Sequence, residues 1–257
     1  MRSIFITGAA AGIGQATARH FATQGWFVGL FDVDLAGVES LAAELGPRQA
    51  LAGRLDVVDA DNWQAALEAF HQRTGRLDVL LNNAGILASG PFGSIPLARQ
   101  QLIVDINVKG VLNGCYQALP YLQQTPGARV INMASASAIY GTPSLATYSA
   151  TKFAVRGLTE ALDLEWEALG IKVMDILPLF VQTAMVKDMN ARSLAKLGVN
   201  LTPETIAATI WDAACYSGRM PRVHWTVGRQ TKLMYSLNGM VPDWVTRLIT
   251  RTVATDH

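Results

Sequence analysis

Short apolar runs alternate with longer segments that are compatible with helices along most of the chain. The runs have strand length and are apolar nearly throughout; they are Ser3–Thr7, Trp26–Asp32, Gln49–Leu55, Asp78–Leu81, Ala128–Ala134 and Ile171–Leu177. The intervening segments predict helices over Ile13–Thr23, Leu35–Leu45, Ala60–Arg73, Leu97–Gln123 and Tyr148–Leu169. Strands that are apolar on both faces and joined by helices favour a parallel sheet covered on both sides. Right-handed crossovers then make a doubly wound, Rossmann-like α/β fold the simplest prediction.

The chain shows no internal boundary. Its 257 residues suit a single α/β unit, and no linker, repeat or low-complexity tract divides them. A helix capped by Thr202 should reach about Ser217, and Arg222–Val227 is a candidate last strand. We therefore predict one domain over 1–257, with 217–257 as a C-terminal extension whose role stays open.

That extension carries its own amphipathic signal. Asp243 can cap a helix on which four apolar side chains share a face, namely Trp244, Val245, Leu248 and Ile249. Such a helix can pack against its own chain or another subunit, cover a pocket, or lie at a membrane surface. We favour packing within the protein and do not expect membrane association, although this segment leaves it open.

Composition excludes several classes of function. Lys and Arg total 21 against 20 Asp and Glu, so the chain lacks the basic excess of a dedicated nucleic-acid binder. Its two cysteines, Cys115 and Cys215, form no CxxC pair, and its four histidines show no metal-ligand spacing. No apolar run reaches the ~18 residues of a membrane helix. The prediction is a cytoplasmic protein with reduced thiols and no metal.

A glycine-rich turn follows the first strand and opens the first helix. It contains Gly8, Gly12, Ile13 and Gly14, with the spacing G-x-x-x-G-x-G. Glycines there let the backbone approach a pyrophosphate, which the amides and positive dipole of the helix N-terminus stabilise. The spacing differs from the usual G-x-G-x-x-G of dinucleotide folds, so the turn alone is weak support.

Asp32 ends the second strand about 20 residues beyond this turn. A carboxylate at that place binds the adenosine ribose hydroxyls of NAD and repels the 2′-phosphate of NADP. Neither Lys nor Arg stands beside it in the sequence or within Ala9–Ala11. The sequence therefore favours NAD, while an Asp that merely starts a turn remains the alternative.

Further motifs carry a resemblance to a known family. The glycine turn, Asn82-Asn83-Ala84-Gly85, Ser135 and the segment Tyr148-Ser149-Ala150-Thr151-Lys152 occur in the order typical of single-domain short-chain dehydrogenases/reductases. The chain resembles that family from Ser3 to about Val227. The resemblance implies NAD-linked interconversion of a secondary alcohol and a ketone.

The resemblance also assigns roles. It implies that Tyr148 is the general acid/base, Lys152 its electrostatic partner, Ser135 the group that orients the substrate oxygen, and Asn107 the support of a water-linked proton relay. Ser137 rivals Ser135, although the 13 residues from Ser135 to Tyr148 match the family's usual separation. Cofactor contacts are implied, besides the glycine turn, Asp32, Tyr148 and Lys152, for Asp56, Val57, Asn83, Ala84, Gly85, Pro178 and Thr183. One departure is Leu179, where the family commonly has Gly.

Elementary electrostatics supports the Tyr–Lys pair. Tyr148 and Lys152 are four residues apart, on one helical face. A tyrosine pKa of ~10 must fall about three units for catalysis near neutrality, which requires roughly 4 kcal/mol. An ammonium about 4 Å away supplies a similar amount at an effective dielectric near 20. We therefore expect Lys152 to lower the pKa of Tyr148.

The substrate region is mostly apolar. By analogy it includes Leu87, Phe92, Ile139, Tyr140, Leu179, Phe180, Met185 and Met189, which predicts an apolar alcohol or ketone as the partner molecule. The apolar helices around 102–122 and 155–169 favour a homodimer or homotetramer. Two other functions stay open: a dinucleotide-binding regulator without turnover, and an epimerase or dehydratase that uses NAD transiently.

Overall fold

A single parallel sheet organises the molecule. The computed structural model describes residues 1–187, 198–238 and 240–254. Its strands are β1 (Ser3–Thr7), β2 (Phe27–Asp32), β3 (Ala50–Arg54), β4 (Val79–Asn82), β5 (Arg129–Met133), β6 (Lys172–Leu177) and β7 (His224–Thr226). They pair in the order β3-β2-β1-β4-β5-β6-β7, and every pairing is parallel. The predicted doubly wound α/β fold is confirmed.

Helices cover both faces of the sheet. They are α1 (Gly12–Thr23), α2 (Leu35–Leu45), α3 (Ala60–Thr74), α4 (Leu97–Val104), α5 (Gly110–Gln123), α6 (Ala146–Glu165), α7 (Ala184–Lys187), α8 (Pro203–Cys215), α9 (Arg229–Leu237) and α10 (Asp243–Ala254). The long helix predicted over Leu97–Gln123 is α4 and α5 joined by a π-helical turn at Asp105–Lys109. The sequence did not predict α9.

Alternation along the strands builds two cores. On β1, Ile4 and Ile6 join the core that α1, α2 and α8 cover, whereas Phe5 joins the core beneath α3, α5 and α6. All three side chains are fully buried, and burying a side chain of this size contributes about 1.5–3 kcal/mol. This two-sided burial explains why the strands read as continuous apolar runs.

The strand order places a crevice at the centre of the sheet. From β1 the chain runs outwards to β2 and β3, then returns to β4 on the other side of β1. Ligands of open α/β sheets bind outside the carboxyl ends of the strands at such a reversal. Among the described residues, no helix is both long and apolar enough to cross a membrane.

Candidate active site

A cleft of about 420 Å³ lies where the strand order reverses. Predicted cofactor residues that line it are Gly8, Gly12, Ile13, Asp32, Asp56, Val57, Asn83, Ala84, Gly85, Pro178 and Thr183. Small or apolar residues that the sequence did not single out complete the wall: Ala11, Val33, Leu55, Ile86, Ile106, Met133, Ala134 and Ala184. Met185, which the sequence predicted for the substrate region, also lines the cleft. Such side chains carry no chemical signature, so only the fold reveals them.

Two glycines of the turn adopt the left-handed conformation that glycine tolerates best. Their φ angles are +67° at Gly8 and +55° at Gly12. A β-carbon on Gly8 would lie 2.9 Å from Ala84 Cα, and one on Gly12 would lie 3.2 Å from Thr183 Cγ2. Either addition would narrow the cleft, so the turn forms a cradle that suits close approach of a pyrophosphate.

Gly14 is placed differently from the prediction. It does not line the cleft, and a β-carbon there would overlap the Gly8 carbonyl oxygen. Its lack of a side chain lets α1 pack directly on the turn, the role of a third glycine in dinucleotide folds. Gly14 therefore shapes the cleft rather than lining it.

Hydrogen bonds with the segment that follows β4 stabilise the glycine turn. Thr7 Oγ1 accepts hydrogen bonds from the backbone amides of Asn83 and Ala84, each at 3.0 Å. Asn83 Nδ2 donates to the carbonyl oxygens of Thr7 at 2.9 Å and Gly8 at 3.0 Å. The Asn83 side chain thus holds the glycine turn in place. Thr7 was missed because a buried threonine in a strand has no distinguishing pattern.

Asp32 sits at the carboxyl end of β2 and faces the cleft. Its Oδ2 accepts from the amide of Ala10 at 3.0 Å, and its Oδ1 accepts from the amide of Asp34 at 3.1 Å. The carboxylate is therefore fixed beside the glycine turn and also starts the following turn, so both interpretations of Asp32 describe part of its geometry.

Arg54 lies beside Asp32 on the neighbouring strand, although the two are far apart in the sequence. The β2–β3 register pairs the two residues directly. The Arg54 guanidinium lies 3.5 Å from Asn62 Oδ1, and Arg54 is not among the cleft-lining residues. The prediction that no cation stands near Asp32 holds along the sequence but not across the sheet.

The three groups assigned to chemistry are brought together beside the cleft. The Tyr148 phenol lies close enough to the Ser135 side chain for the two to interact, whereas the hydroxyl of the rival Ser137 accepts from Thr142 Oγ1 at 3.4 Å. Lys152 Nζ lies 5.5 Å from the centroid of the Tyr148 ring and donates to the carbonyl of Met133 at 2.6 Å. Ser135 ends the loop after β5, and its Oγ accepts from the amide of Ser137 at 3.1 Å. Their catalytic roles remain predictions.

The structure reverses the expected direction of one pKa. Burial raises the pKa of Tyr148 to about 12, and the hydrogen bond with Ser135 offsets only part of that rise. Burial also lowers the pKa of Lys152 to about 8. The Lys152 ammonium donates to the Met133 carbonyl and not to the phenol, so burial sets the direction of the Tyr148 shift. As placed here, the phenol keeps its proton at neutral pH.

Asn107 occupies the π-helical turn between α4 and α5 and is fully buried. Its Nδ2 donates to Ile86 O at 2.9 Å and Thr151 Oγ1 at 3.2 Å, and its Oδ1 accepts from the Ile86 amide at 2.9 Å. The side chain thus joins the segment after β4 to α6. This arrangement satisfies the buried amide, and the proton-relay role stays a prediction.

Gly85 separates the cleft from the lysine. A β-carbon on Gly85 would lie 3.2 Å from Asn107 Oδ1 and 3.8 Å from Lys152 Nζ. The absence of a side chain therefore leaves room at the point where the cleft floor meets the two buried polar groups.

The remaining predicted contacts are held by local hydrogen bonds. Asp56 Oδ1 accepts from the Val58 amide at 3.1 Å, and the Val57 carbonyl accepts from Trp63 Nε1 at 3.0 Å. The Pro178 carbonyl accepts from the Ala136 amide at 2.8 Å, which ties the end of β6 to the loop that carries Ser135.

Tyr148 belongs to a small apolar cluster. Leu87, Phe180 and Tyr148 pack against the buried Leu145. Of the other residues predicted for the pocket, Ile139 is buried in the core, Phe92 is exposed, and Leu179 packs against the core under α3, α5 and α6. Met189 lies outside the described residues. Within the described part of the chain, His, Cys, Asp and Glu form no cluster that could hold a metal ion.

Comparison with known proteins assigns the family. The short chain dehydrogenase family model matches residues 2–194. The 3-oxoacyl-(acyl-carrier-protein) reductase of Thermotoga maritima is 32% identical over 216 residues, covering 80% of this chain and 87% of that protein. The D-threitol dehydrogenase of Mycolicibacterium smegmatis is 36% identical over 182 residues, covering 70% of each.

A solved structure agrees. The 3-ketoacyl-(acyl-carrier-protein) reductase of Brucella melitensis, complexed with NADH, superposes with a TM-score of 0.79 at 30% identity. The match covers 88% of this chain and 96% of that one. The chain therefore belongs to the short-chain dehydrogenase family, whose members are oxidoreductases that use NAD(P) to interconvert alcohols and carbonyl compounds.

Proposed function

We propose that this protein is an NAD(H)-dependent oxidoreductase that interconverts a secondary alcohol and a ketone on a small apolar molecule. The observation that carries the proposal is the arrangement at Tyr148, whose phenol contacts the Ser135 hydroxyl, lies near the Lys152 ammonium and stands beside the cleft. A Tyr/Lys pair on the surface would not place its lysine in the interior, where Lys152 is buried.

Asp32 supports NAD over NADP. Its fixed carboxylate faces the cleft and would repel a 2′-phosphate, and no Lys or Arg is among the described residues that line this cleft. The glycine cradle and this carboxylate together fit a dinucleotide. The Brucella relative was solved with NADH, which agrees with the choice.

The protein's own groups account for the proton chemistry. When bound, the nicotinamide ring supplies or accepts the hydride, and its oxidised form adds a positive charge near the phenol. In carbonyl reduction, Ser135 donates a hydrogen bond to the substrate oxygen and Tyr148 gives that oxygen its proton. A pKa of about 12 keeps Tyr148 protonated and ready to donate. Lys152, held by the Met133 carbonyl, stabilises the phenolate that results.

The apolar cluster at Tyr148 supports an apolar substrate. Leu87 and Phe180 pack, together with Tyr148, against the buried Leu145, and these three neighbours are apolar. The relatives act on different molecules, a carrier-bound 3-oxoacyl group and D-threitol, so their names do not define this substrate.

Absorbance of the reduced nicotinamide tests the proposal. The purified protein is incubated with a panel of secondary alcohols and ketones of increasing apolar surface, with NAD(H) and NADP(H) compared. We expect net NADH formation or consumption that increases with apolar surface and exceeds the rate with NADP(H). Binding without turnover would favour the regulator, and product formation without net NADH change would favour the epimerase or dehydratase.

A further inference from the structure

A row of charged groups links α6, β6 and β7 outside the cleft. Asp175 of β6 is fully buried, and its Oδ1 lies 2.8 Å from Nδ1 of His224 on the neighbouring strand β7. His224 Nε2 lies 3.1 Å from Glu160 Oε1 on α6. Arg156, one turn earlier on α6, donates from Nε to the same Glu160 oxygen at 2.9 Å. Four charged or titratable groups from three elements are therefore linked in a row.

Both ring nitrogens of His224 face carboxylate oxygens. A neutral imidazole carries only one N–H, so it can donate to only one of them. The Nε2–Glu160 contact is at ion-pair distance, and both contacts are attractive only if the Asp175–His224 pair holds one more proton, either on the ring or on Asp175. Burial raises the pKa of Asp175, and its Oδ2 has no hydrogen-bond partner among the described residues. The site thus favours retention of that proton.

Arg156 connects this row to the turn that carries Ser135. Its Nη1 donates to the Ala138 carbonyl at 3.2 Å. Ala138 ends the short 3₁₀ turn Ala136–Ala138, and Ser135 begins that turn by accepting from the Ser137 amide. A shift of the guanidinium would therefore move the turn that carries the Ser135 hydroxyl.

An aromatic side chain of the C-terminal extension packs against these charged groups. The Tyr235 ring of α9 lies 5.3 Å from the Arg156 guanidinium and 5.6 Å from the His224 ring. The titratable and charged groups facing His224 are then Asp175 from β6, Glu160 and Arg156 from α6, and Tyr235 from α9.

We propose that Asp175, His224 and Glu160 form a proton-dependent positioning relay that, through Arg156, sets the placement of the Ser135 turn. This inference rests on the proposed function of Ser135. With its proton, the pair binds Glu160, and Glu160 aligns Arg156 against the Ala138 carbonyl. When the proton leaves, buried Asp175 retains Nδ1–H, and the Nε2 lone pair then faces Glu160. Glu160 is half exposed, so it turns towards water and Arg156 loses its alignment.

The variant Asp175→Asn tests whether loss of this proton changes the rate. The Asn amide can donate to Nδ1 of a neutral imidazole, which leaves Nε2–H for Glu160 at every pH. The rate of alcohol oxidation is measured from pH 7 to pH 9.5 for the wild type and this variant. The ratio of the variant's kcat to the wild-type kcat should rise roughly threefold or more, because titrations of Tyr148 and Lys152 occur in both proteins and cancel. A ratio that stays flat overturns the relay.

Arg156→Met tests the connection to the turn. We expect kcat at pH 7 to fall by about tenfold with the Kd for NADH unchanged, and Arg156→Lys, which can still donate to Ala138, to restore much of it. Arg19→Met removes a comparable but exposed ion pair with Glu44 and should change nothing. Equal kcat in Arg156→Met and wild type contradicts the proposal.

A direct readout does not depend on the variants folding. ¹⁵N shifts of the His224 ring in the wild type should change between pH 7 and pH 9.5, the range of the rate measurements. No change over that range overturns the relay. A wild type without turnover on the whole panel overturns the proposed function and the relay together, whereas turnover with unaltered pH profiles overturns the relay alone.

Discussion

Lys152 carries the most consequential single charge in the interior. The side chain is only 5% exposed, and burial lowers its pKa from 10.5 to about 8. A lysine with a lowered pKa destabilises the fold below that pKa, and the cost disappears as pH rises towards the unfolded value. The proposed chemistry therefore requires an ammonium at a position where it lowers the stability of the fold.

Lys152→Met should stabilise the protein while abolishing turnover. The lowered pKa means that burial of the ammonium destabilises the fold by about 3 kcal/mol at pH 7. The variant avoids this cost but leaves the Met133 carbonyl without its hydrogen bond, which costs about 1 kcal/mol. Urea unfolding at pH 7 should show a higher free energy of unfolding for the variant, and the gain should shrink by pH 10. A variant less stable than wild type at pH 7 would contradict the assigned cost of burial.

Asp32→Ala should relax the choice of cofactor. Removing the carboxylate ends its repulsion of a 2′-phosphate and exposes the neighbouring Arg54 guanidinium to it. The ratio of kcat/KM for NADPH to that for NADH should rise by about tenfold or more. Arg54→Gln in the same background should reverse part of the gain. An unchanged ratio would mean that Asp32 serves only the turn.

At the scale of elements, the packing of α1 on the glycine turn decides whether the cradle forms. Gly14→Ala and Gly157→Ala are a matched pair of helical substitutions. The first would overlap the Gly8 carbonyl oxygen, whereas the second meets no atom within 4 Å.

We expect Gly14→Ala to lose NADH binding and to unfold at lower urea concentration. Gly157→Ala should keep binding and gain up to about 1 kcal/mol from helix propensity. Equilibrium NADH fluorescence titration and urea unfolding report the two effects. NADH binding by Gly14→Ala at the wild-type Kd would refute the packing argument.

The sequence predicted most elements because two-sided burial and helical spacing leave strong patterns. It missed the π-helical turn at Asp105–Lys109, since the inserted residue does not interrupt a continuous helical pattern. It also missed α9, a helix of nine mostly polar residues, and it extended several ends by one to four residues. Helix and strand ends depend on caps and pairing that a single sequence does not display.

At the scale of the whole molecule, the motif residues were predictable but their partners were not. Order along the chain located Tyr148, Lys152 and Ser135. The pairing of Arg54 with Asp32, and of His224 with Asp175, arises across strands far apart in sequence. The reversed pKa of Tyr148 likewise reflects burial, which spacing alone cannot report.

The predicted homo-oligomer is a proposal that the surface supports. Leu112 and Tyr116 on α5, and Phe153 and Leu164 on α6, are exposed apolar side chains. Each pair shares one helical face, and contiguous exposed apolar surface marks interfaces.

Tyr116→Asp should shift the protein towards monomer in light scattering at micromolar concentration. Leu35→Asp, an exposed position on α2, should leave the mass unchanged. A wild type that is already monomeric would contradict the expected assembly.

Tyr148→Phe tests the central claim most directly, because it removes one hydroxyl and leaves the ring packed against Leu145. We expect the variant to bind NADH with the wild-type Kd and to lose at least about 10²-fold in kcat for the best alcohol or ketone of the panel. Turnover equal to that of the wild type, with NADH binding intact, would show that the Tyr148 phenol does not transfer the proton.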